Sequence, residues 1–223
     1  MNALVKRAQE IIESNNPAKY YDIYKKHEVG YWSRIPEMIV DYNEVRFVDN
    51  VLDVGAAYGT LLMFTHLNVP HCNLYAIDNV PYMSLDLMST YDITHISDNI
   101  ENLQWEPPVK FDCIIFTEIL EHLNFNPVDT LKRLYDLLTP SGVIFLSTPN
   151  ALIAGTLGKY ATWQNMPTYS KDTFVIDAHI HHYTLAEISE ICRLAGFKID
   201  KCEASDEPLN HLNLQLSKQR SRY

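Results

Sequence analysis

From residue 50 onward the chain alternates short apolar runs with stretches of helical periodicity, and this alternation limits the folds open to it. The apolar runs are VLDVG, NLYAID, FDCIIFTE and VIFLSTP, and helical patterns such as LLMFTHL and VDTLKRLYDLL lie between them. Apolar runs this short, separated by helices, are typical of buried parallel strands in βαβ units. The pattern therefore predicts an open α/β sheet that is mostly parallel, with helices on both faces.

The two ends of the chain depart from this alternation. Residues 3–15 carry apolar side chains at helical spacing and predict a lead-in helix. After residue 183, TLAEISEICRLAGF predicts a helix that ends at Gly196, and FKIDKCEA with LNLQLS predicts a closing antiparallel strand pair. A chain of 223 residues, 47% of them hydrophobic, is expected to form one domain, with residues 1–47 as an N-terminal helical lead-in or lid before residues 48–223.

The charge and the cysteine content of the chain limit the binding partners and the cellular compartment that we expect for it. The chain has 18 lysines and arginines against 28 aspartates and glutamates, and its net charge of -10 argues against nucleic-acid binding. The four scattered cysteines form no C-x-x-C pair, which is typical of reduced thiols in a cytoplasmic protein. No apolar run approaches the roughly 20 residues that cross a bilayer. We expect a cytoplasmic protein with a small-molecule partner and no membrane association; the sequence predicts no oligomeric state.

The stretch VLDVGAAYGT, residues 51–60, predicts where a ligand binds. An apolar run ends at Asp53, and Gly55 and Gly59 allow the backbone to approach a ligand closely and to bend into the next helix. In open parallel sheets, ligands bind outside the carboxyl ends of the strands. The loop after the first strand is therefore the expected binding site.

Two common nucleotide motifs do not fit this loop. A dinucleotide fingerprint fails because Ala57 and Thr60 stand where its second and third glycines belong. A P-loop fails because no lysine occurs in residues 51–70. Dinucleotide and triphosphate binding are therefore not predicted.

The stretch D-V-G-A-A-Y-G resembles the first motif of class I S-adenosylmethionine-dependent methyltransferases, in which an acidic residue precedes a glycine-rich turn. The segments NLYAID, SDNIENLQW, FDCIIFTEILEHL and LLTPSGVIFLSTPN match later family segments in the same order, so the resemblance covers roughly residues 48–205. It implies a Rossmann-like methyltransferase fold, S-adenosylmethionine as cofactor, and residues 48–223 as the methyltransferase domain. Ala57 departs from the family, where many members have glycine, but alanine is small enough that we expect cofactor binding to survive.

The resemblance implies that the glycine-rich loop holds the methionine portion of the cofactor. Gly55 and its neighbours, including Ala56 and Gly59, would offer close backbone contact. Asp53 would orient the loop or accept a hydrogen bond from the cofactor's ammonium group through water.

The later segments would hold the adenosine portion. Asp78, which ends NLYAID, would accept hydrogen bonds from both ribose hydroxyls, since ionised acceptors make stronger hydrogen bonds. Asp98 or Asn99 would accept from the exocyclic amine of adenine, and Ile100 would cover the ring face. The expected cofactor-binding residues are Asp53, Gly55, Ala56, Gly59, Asp78, Asn79, Asp98, Asn99, Ile100 and Thr117.

A cluster of acids and histidines follows the fourth strand. TEILEHL places Glu118, Glu121 and His122 at i, i+3 and i+4, so in a helical segment all three project from one face. The later stretch DAHIHHYT adds three histidines ahead of the closing helix. Two carboxylates with one or two imidazoles are a ligand set suited to a divalent metal.

This E-x-x-E-H pattern is similar to that of ubiquinone-biosynthesis O-methyltransferases and small-RNA 2′-O-methyltransferases, in which it holds a divalent metal that binds substrate hydroxyls. In the RNA enzymes a later histidine, two residues before an aromatic, completes the site; counted back from Tyr183, that is His181. The resemblance implies a magnesium or manganese site that would depress the pKa of the acceptor hydroxyl. Its ligands would be Glu118, Glu121, His122 and His181.

Two other interpretations of the cluster stay open. Many methyltransferases of this fold carry an L-E-H segment without metal, in which the histidine is a base or substrate contact and a glutamate caps the helix. The candidate catalytic residues are His122, His181 and Glu121. The cluster could also be purely structural. Asp112 and Tyr183 are expected to be structural.

The leading functional prediction is methyl transfer from S-adenosylmethionine to an oxygen of a small molecule, such as a sugar or phenolic hydroxyl. A metal-dependent RNA 2′-O-methyltransferase is the second hypothesis, and the acidic charge argues against it. A third is a non-catalytic S-adenosylmethionine-binding or assembly protein.

Acceptor specificity is expected from two segments, residues 18–45 and residues 155–174. The first is rich in aromatic residues, and the second is a long irregular stretch of the kind that forms lids and binding loops. Tyr31, Trp32 and Trp163 are expected to approach the active site.

Overall fold

The computed structural model describes most of the chain. Its described residues are 3–15, 21–171, 176, 178–205 and 210–219, apart from the side chain of Val29. Parts of the two predicted specificity segments, residues 18–20 and 172–174, lie outside this range. Within the described residues, none of the helices combines the length and the apolar character that a bilayer crossing requires.

Eight α-helices and seven strands make up the described fold. The helices are α1 (Ala3–Asn15), α2 (Tyr21–Tyr31), α3 (Ile35–Val45), α4 (Thr60–Asn68), α5 (Leu85–Thr90), α6 (Pro127–Leu137), α7 (Ala151–Ala154) and α8 (Leu185–Leu194). The strands are β1 (Asn50–Val54), β2 (Asn73–Asp78), β3 (Ile93–Ser97), β4 (Phe111–Thr117), β5 (Leu138–Pro149), β6 (Phe197–Ala204) and β7 (His211–Lys218). Short 3-10 turns lie at Ile100–Asn102, Leu120–His122 and Trp163–Asn165.

The strands form one sheet in the order β3-β2-β1-β4-β5-β7-β6. Strands β1 to β5 pair in parallel, and β7 inserts antiparallel between β5 and β6. The predicted mostly parallel sheet with a closing antiparallel pair is confirmed. The strand order reverses between β1 and β4, so a crevice opens at the carboxyl ends of these two strands.

The central strands are buried on both faces, which explains their continuous apolar runs. In β4, Cys113 and Ile115 pack into the core on one face, and Ile114 and Phe116 pack into the core on the other. The first face is covered by α1, α3 and α4, and the second by α6 and α8. This double coverage is what short parallel strands require.

The N-terminal helices are joined to the start of α4 by a buried polar network. The carboxylate of Glu28 accepts hydrogen bonds from Thr60 Oγ1 at 2.6 Å and from Gln9 Nε2 at 3.0 Å. The hydroxyl of Tyr21 lies 3.2 Å from Thr60 Oγ1. Burial raises the pKa of Glu28. The network fixes α1 and α2 beside the loop that precedes α4.

Candidate active site

A cavity of about 500 Å³ lies at the carboxyl ends of β1, β2 and β4, where the strand order predicts a ligand. Its size suits a ligand of drug-like dimensions. Its walls are formed by Tyr24, Val54, Gly55, Ala57, Tyr58, Ile77, Asp78, Asn79, Val80, Tyr82, Asp98, Asn99, Ile100, Glu101, Thr117, Glu118, Ile119, His122, Leu123, Asn124 and Ile176.

The loop after β1 has the close packing that glycine alone permits. Gly55 has φ +71°, and a Cβ atom added to it would overlap the side chain of Ile119. Its N–H donates to Ile77 O at 2.8 Å, which ties the loop to β2. Gly59 has φ +84°, and a Cβ atom there would lie 2.7 Å from Met83 Cε. Both glycines are therefore required by the left-handed backbone and by their neighbours.

Asp78, at the end of β2, holds the same loop from the other side. Its carboxylate accepts hydrogen bonds from the N–H of Ala57 at 2.9 Å and of Val80 at 3.2 Å. Ala57 has φ +46°, a left-handed conformation that is costly for a residue with a Cβ atom. The position where the sequence departs from its relatives is therefore one where the backbone favours glycine.

The loop after β3 presents the predicted adenine-binding residues. Asp98 accepts hydrogen bonds from the N–H groups of Asn99, Gln104 and Trp105, so its carboxylate shapes the loop. Asn99 Oδ1 accepts from the N–H of Glu101 at 2.8 Å and caps the short 3-10 turn. Both side chains and Ile100 reach the cavity.

Seven of the ten predicted cofactor-binding residues line the cavity, and Asp53, Ala56 and Gly59 lie behind its wall. Asp53 is only 3% exposed. Burial, together with the nearby carboxylates of Asp78 and Glu28, raises the pKa of Asp53 to about 8.

The E-x-x-E-H segment is not helical as the spacing predicted. Glu118 has φ +56°, and its N–H donates to Ser147 O at 3.0 Å, which prolongs the strand pairing by one residue. The chain then reverses, and only Leu120–His122 form a 3-10 turn. The expectation of one helical face is therefore wrong, because Glu118 lies at the turn directly after β4 and outside the 3-10 turn that contains Glu121 and His122.

Glu118 is held by two partners from the neighbouring strands. Its Oε1 accepts from Ser147 Oγ at 2.6 Å, and its Oε2 lies 3.1 Å from His211 Nε2. The His211 ring stacks on Tyr31 with centroids 4.5 Å apart, and its Nδ1 lies 2.7 Å from Asn210 Oδ1. Sequence reasoning missed His211, because β7 is brought beside β5 only by the tertiary fold.

Glu121, His122 and His179 form the candidate metal or proton-transfer cluster. One ligand atom from each lies within 4.8 Å of the others, and the rings of His122 and His179 are 4.6 Å apart. Glu121 is fully buried; its Oε2 accepts from Thr148 Oγ1 at 2.9 Å, and its Oε1 has no partner among the described residues. Burial and the nearby charge of Glu118 raise the pKa of Glu121 well above its ordinary value.

His181, which the resemblance named as a ligand, lies outside this cluster. It is 6% exposed, and its Nε2 lies 3.4 Å from Glu187 Oε1, in the capping box of α8. In its place the structure brings His179 to Glu121 and His122, whereas the contact with Glu187 holds His181 at the start of α8.

The segment that carries His179 is anchored by Asn124. Its side-chain amide pairs with both backbone groups of Ile176, accepting at 2.9 Å and donating at 3.1 Å. The N–H of Asn124 donates to the buried carboxylate of Glu101 at 2.8 Å. Burial raises the pKa of Glu101 to about 7. Neither residue carries a sequence signal, since each acts through partners distant in the chain.

The aromatic residues of the N-terminal segment are divided between wall and core. Tyr24 lines the cavity, and Tyr31 lies behind Glu118 through its stack on His211. Trp32 and Trp163 are buried in the two halves of the core, at 5% and 4% exposure, and do not line the cavity. The wall also includes Tyr58, which sequence reasoning did not select.

The sequence of this chain matches the family described as "Methyltransferase domain" over residues 5–201. A ubiquinone biosynthesis O-methyltransferase of Xanthomonas campestris pv. campestris is 31% identical over 105 residues, which cover 45% of this chain and 43% of that protein. The alignment therefore spans less than half the length of this curated relative.

Solved structures share the fold at lower identity. The 1,6-didemethyltoxoflavin-N1-methyltransferase of Burkholderia thailandensis, with bound 1,6-didemethyltoxoflavin and S-adenosylhomocysteine, is 19% identical, with a TM-score of 0.64 over 99% of this chain and 92% of that one. An S-adenosylmethionine-dependent methyltransferase of Clostridium acetobutylicum is 16% identical, with a TM-score of 0.61 over 93% of this chain and 99% of that one.

Proposed function

Because the chain belongs to the methyltransferase-domain family of S-adenosylmethionine-dependent enzymes, we propose that it transfers the methyl group to the oxygen of a small-molecule hydroxyl, phenolic or sugar. The observation that carries this proposal is the position of His122, which lines the cavity at the end of β4 with His179 beside it. A hydroxyl needs to lose its proton during transfer, and an imidazole is suited to accept it.

The proposed reaction is a single displacement. The acceptor oxygen attacks the methyl carbon, the bond from carbon to the sulfonium sulfur breaks, and the hydroxyl proton passes to His122. The products are a methyl ether, S-adenosylhomocysteine and an imidazolium ion. The protein contributes mainly alignment, with the glycine loop and Asp78 holding the cofactor and the cluster after β4 holding the acceptor.

The residues present also fit a divalent metal. Glu121 Oε1 is a buried oxygen without a partner among the described residues, and two imidazoles stand within ligand range of it. In this alternative mode, in which His122 would bind the ion and would not accept the proton, we propose Glu121, His122 and His179 as the ligands, in place of the set implied by the family resemblance, which included Glu118 and His181. A bound magnesium or manganese ion would lower the pKa of the acceptor hydroxyl.

The charge of the cavity supports a small acceptor over RNA. Its described walls contain Asp78, Asp98, Glu101 and Glu118 and neither lysine nor arginine. A phosphate backbone is recognised mainly by cationic side chains. An uncharged hydroxyl-bearing molecule therefore suits this site better than an RNA end.

The experiment compares methyl transfer by the wild type with that by His122→Asn, using a panel of phenols, catechols and sugars and a short RNA. S-adenosylhomocysteine release measures turnover, and mass spectrometry identifies the methylated oxygen. For an acceptor that the wild type methylates, His122→Asn is expected to lower kcat about 100-fold or more. Its affinity for S-adenosylhomocysteine should stay unchanged.

His71→Asn is the matched control, since His71 is exposed and stacks on Phe47. It should retain wild-type kcat. Loss of activity in EDTA with recovery in manganese, abolished in Glu121→Ala, would favour the metal-dependent mode. Methylation of the RNA alone, or of nitrogen atoms alone, would contradict the proposal.

A further inference from the structure

The described wall of the cavity contains acidic side chains but neither lysine nor arginine. The four carboxylates are those of Asp78, Asp98, Glu101 and Glu118. Partly buried charges are screened less by salt than exposed ones. A ligand that enters this cavity therefore meets a field that favours positive charge.

The hydroxyl of Tyr24, in the cavity wall, is subject to that field. Its pKa is raised by burial first, and then by four nearby acids, Glu28, Asp53, Glu118 and Asp78, of which burial shifts the pKa of Glu28 and Asp53 upwards. The acids that act on this hydroxyl come from α2, β1, β2 and the end of β4. The negative potential is thus a property of the whole methionine side of the cavity.

Glu118 is the carboxylate placed to use this potential. Glu118 lines the cavity, and the next residue, Ile119, packs against Gly55, so Glu118 follows the loop that would hold the methionine portion along the same wall. Ser147 and His211 hold its two oxygens, and its φ of +56° is a strained conformation for a residue with a Cβ atom. Strain of this kind persists only where the surrounding structure over-determines it.

We propose that the cavity distinguishes the cofactor from its product by charge, and that Glu118 is the residue that does so. S-adenosylmethionine carries a positive sulfonium, whereas S-adenosylhomocysteine has a neutral thioether at the same place. The Glu118 carboxylate attracts the first and is indifferent to the second. Transfer of the methyl group removes the attraction, so the product leaves more readily. This inference rests on the proposed function.

The test measures the affinities of three ligands by calorimetry: S-adenosylmethionine, the cationic analogue sinefungin, and S-adenosylhomocysteine. Glu118→Gln keeps the size and shape of the side chain and removes its charge, while its amide retains one of the two acceptor oxygens that face Ser147 and His211. It is expected to weaken binding of both cationic ligands about tenfold. Binding of S-adenosylhomocysteine should change less than about twofold, which also shows that the variant is folded.

Glu190→Gln is the matched control, because Glu190 is exposed on α8 and lies outside the cavity wall. It should leave all three affinities unchanged.

The outcomes separate this inference from the proposed function. If Glu118→Gln weakens the charged and neutral ligands equally, or weakens neither, the inference is overturned while the cofactor assignment stands. If the wild type binds none of the three ligands, the proposed function fails and the inference fails with it.

Discussion

The two halves of the cavity differ in whether their structure depends on residues close together in the sequence or on residues far apart in it. The loops after β1 and β2 depend on local backbone geometry, seen in the left-handed φ of Gly55 and in the pairing of Asp78 with the loop N–H groups. The half after β4 depends on residues brought together from distant strands, such as Glu118 with His211. Local geometry leaves a motif in the sequence, whereas tertiary juxtaposition leaves only scattered polar residues.

The largest effect on cofactor binding is expected from a substitution in the loop after β1, at the close contact between Gly55 and Ile119. Gly55→Ala forces a Cβ atom into Ile119 at a φ of +71°. We expect S-adenosylhomocysteine affinity to fall about 100-fold and stability by about 3 kcal/mol. Calorimetry and urea unfolding measure the two quantities.

Gly155→Ala is the control for this change. Gly155 also has a positive φ, +91°, but nothing lies within 4 Å of an added Cβ atom. Its ψ of 151° places it in a region that is largely restricted to glycine, so the change should lower stability by about 1–3 kcal/mol and leave cofactor affinity intact. Equal loss of affinity in both variants would show that backbone strain, and not the contact with Ile119, determines the loop.

Asp78→Asn should have the next largest effect. The carboxylate accepts from the N–H of Ala57 and Val80 and is expected to accept from the ribose as well. Affinity for S-adenosylhomocysteine should fall about 30-fold, since hydrogen bonds to charged groups contribute about 1.5–3 kcal/mol.

Asp112→Asn makes the same chemical change at the opposite end of the sheet. Its carboxylate accepts from the N–H groups of Asp49 and Asn50. We expect a similar loss of stability with no loss of cofactor affinity. If Asp112→Asn weakened binding as much as Asp78→Asn, the ribose assignment would be wrong.

Asp53 gives a pH-dependent test of the support beneath the loop. Its folded pKa of about 8 lies above the ordinary value of 3.8, because burial penalises the ionised form. The free energy of unfolding contributed by Asp53 therefore decreases as the pH rises from about 4 towards 8. Between pH 5 and pH 7, Asp53→Asn should gain on the order of 2 kcal/mol of stability relative to the wild type.

Urea unfolding of both proteins at the two pH values provides the measurement. Other buried acids, such as Glu101, also have raised pKa values and contribute to the pH dependence of stability. These contributions cancel when the free energy of unfolding of the wild type is subtracted from that of the variant. A difference that is the same at pH 5 and pH 7 would mean that Asp53 ionises normally in the folded protein.

The smallest effect should come from Ala57→Gly. The left-handed φ of +46° is relieved in glycine, although glycine also gives the unfolded chain more freedom. We expect a net gain of about 0.5 kcal/mol and unchanged affinity for S-adenosylhomocysteine. A clear fall in melting temperature would show that the loop depends on the alanine side chain.

These contrasts explain how much the sequence could predict. Alternating apolar runs predicted the sheet, and the glycine turn predicted a tight loop at the cavity wall, because both depend on neighbouring residues. The E-x-x-E-H spacing suggested a helical face, but β4 runs to Thr117 and the chain reverses at Glu118, which is held by its pairing with Ser147. The choice of His179 over His181 depends on Asn124 and the start of α8, which no spacing rule contains.

The most direct test of the account measures S-adenosylhomocysteine binding by calorimetry in the wild type, Asp78→Asn and His122→Asn. The account predicts one site in the wild type, about 30-fold weaker binding in Asp78→Asn, and wild-type affinity in His122→Asn, because the histidine serves transfer and not cofactor binding. Absence of binding in the wild type, or equal losses in both variants, would contradict the division of the cavity into a cofactor half and a transfer half.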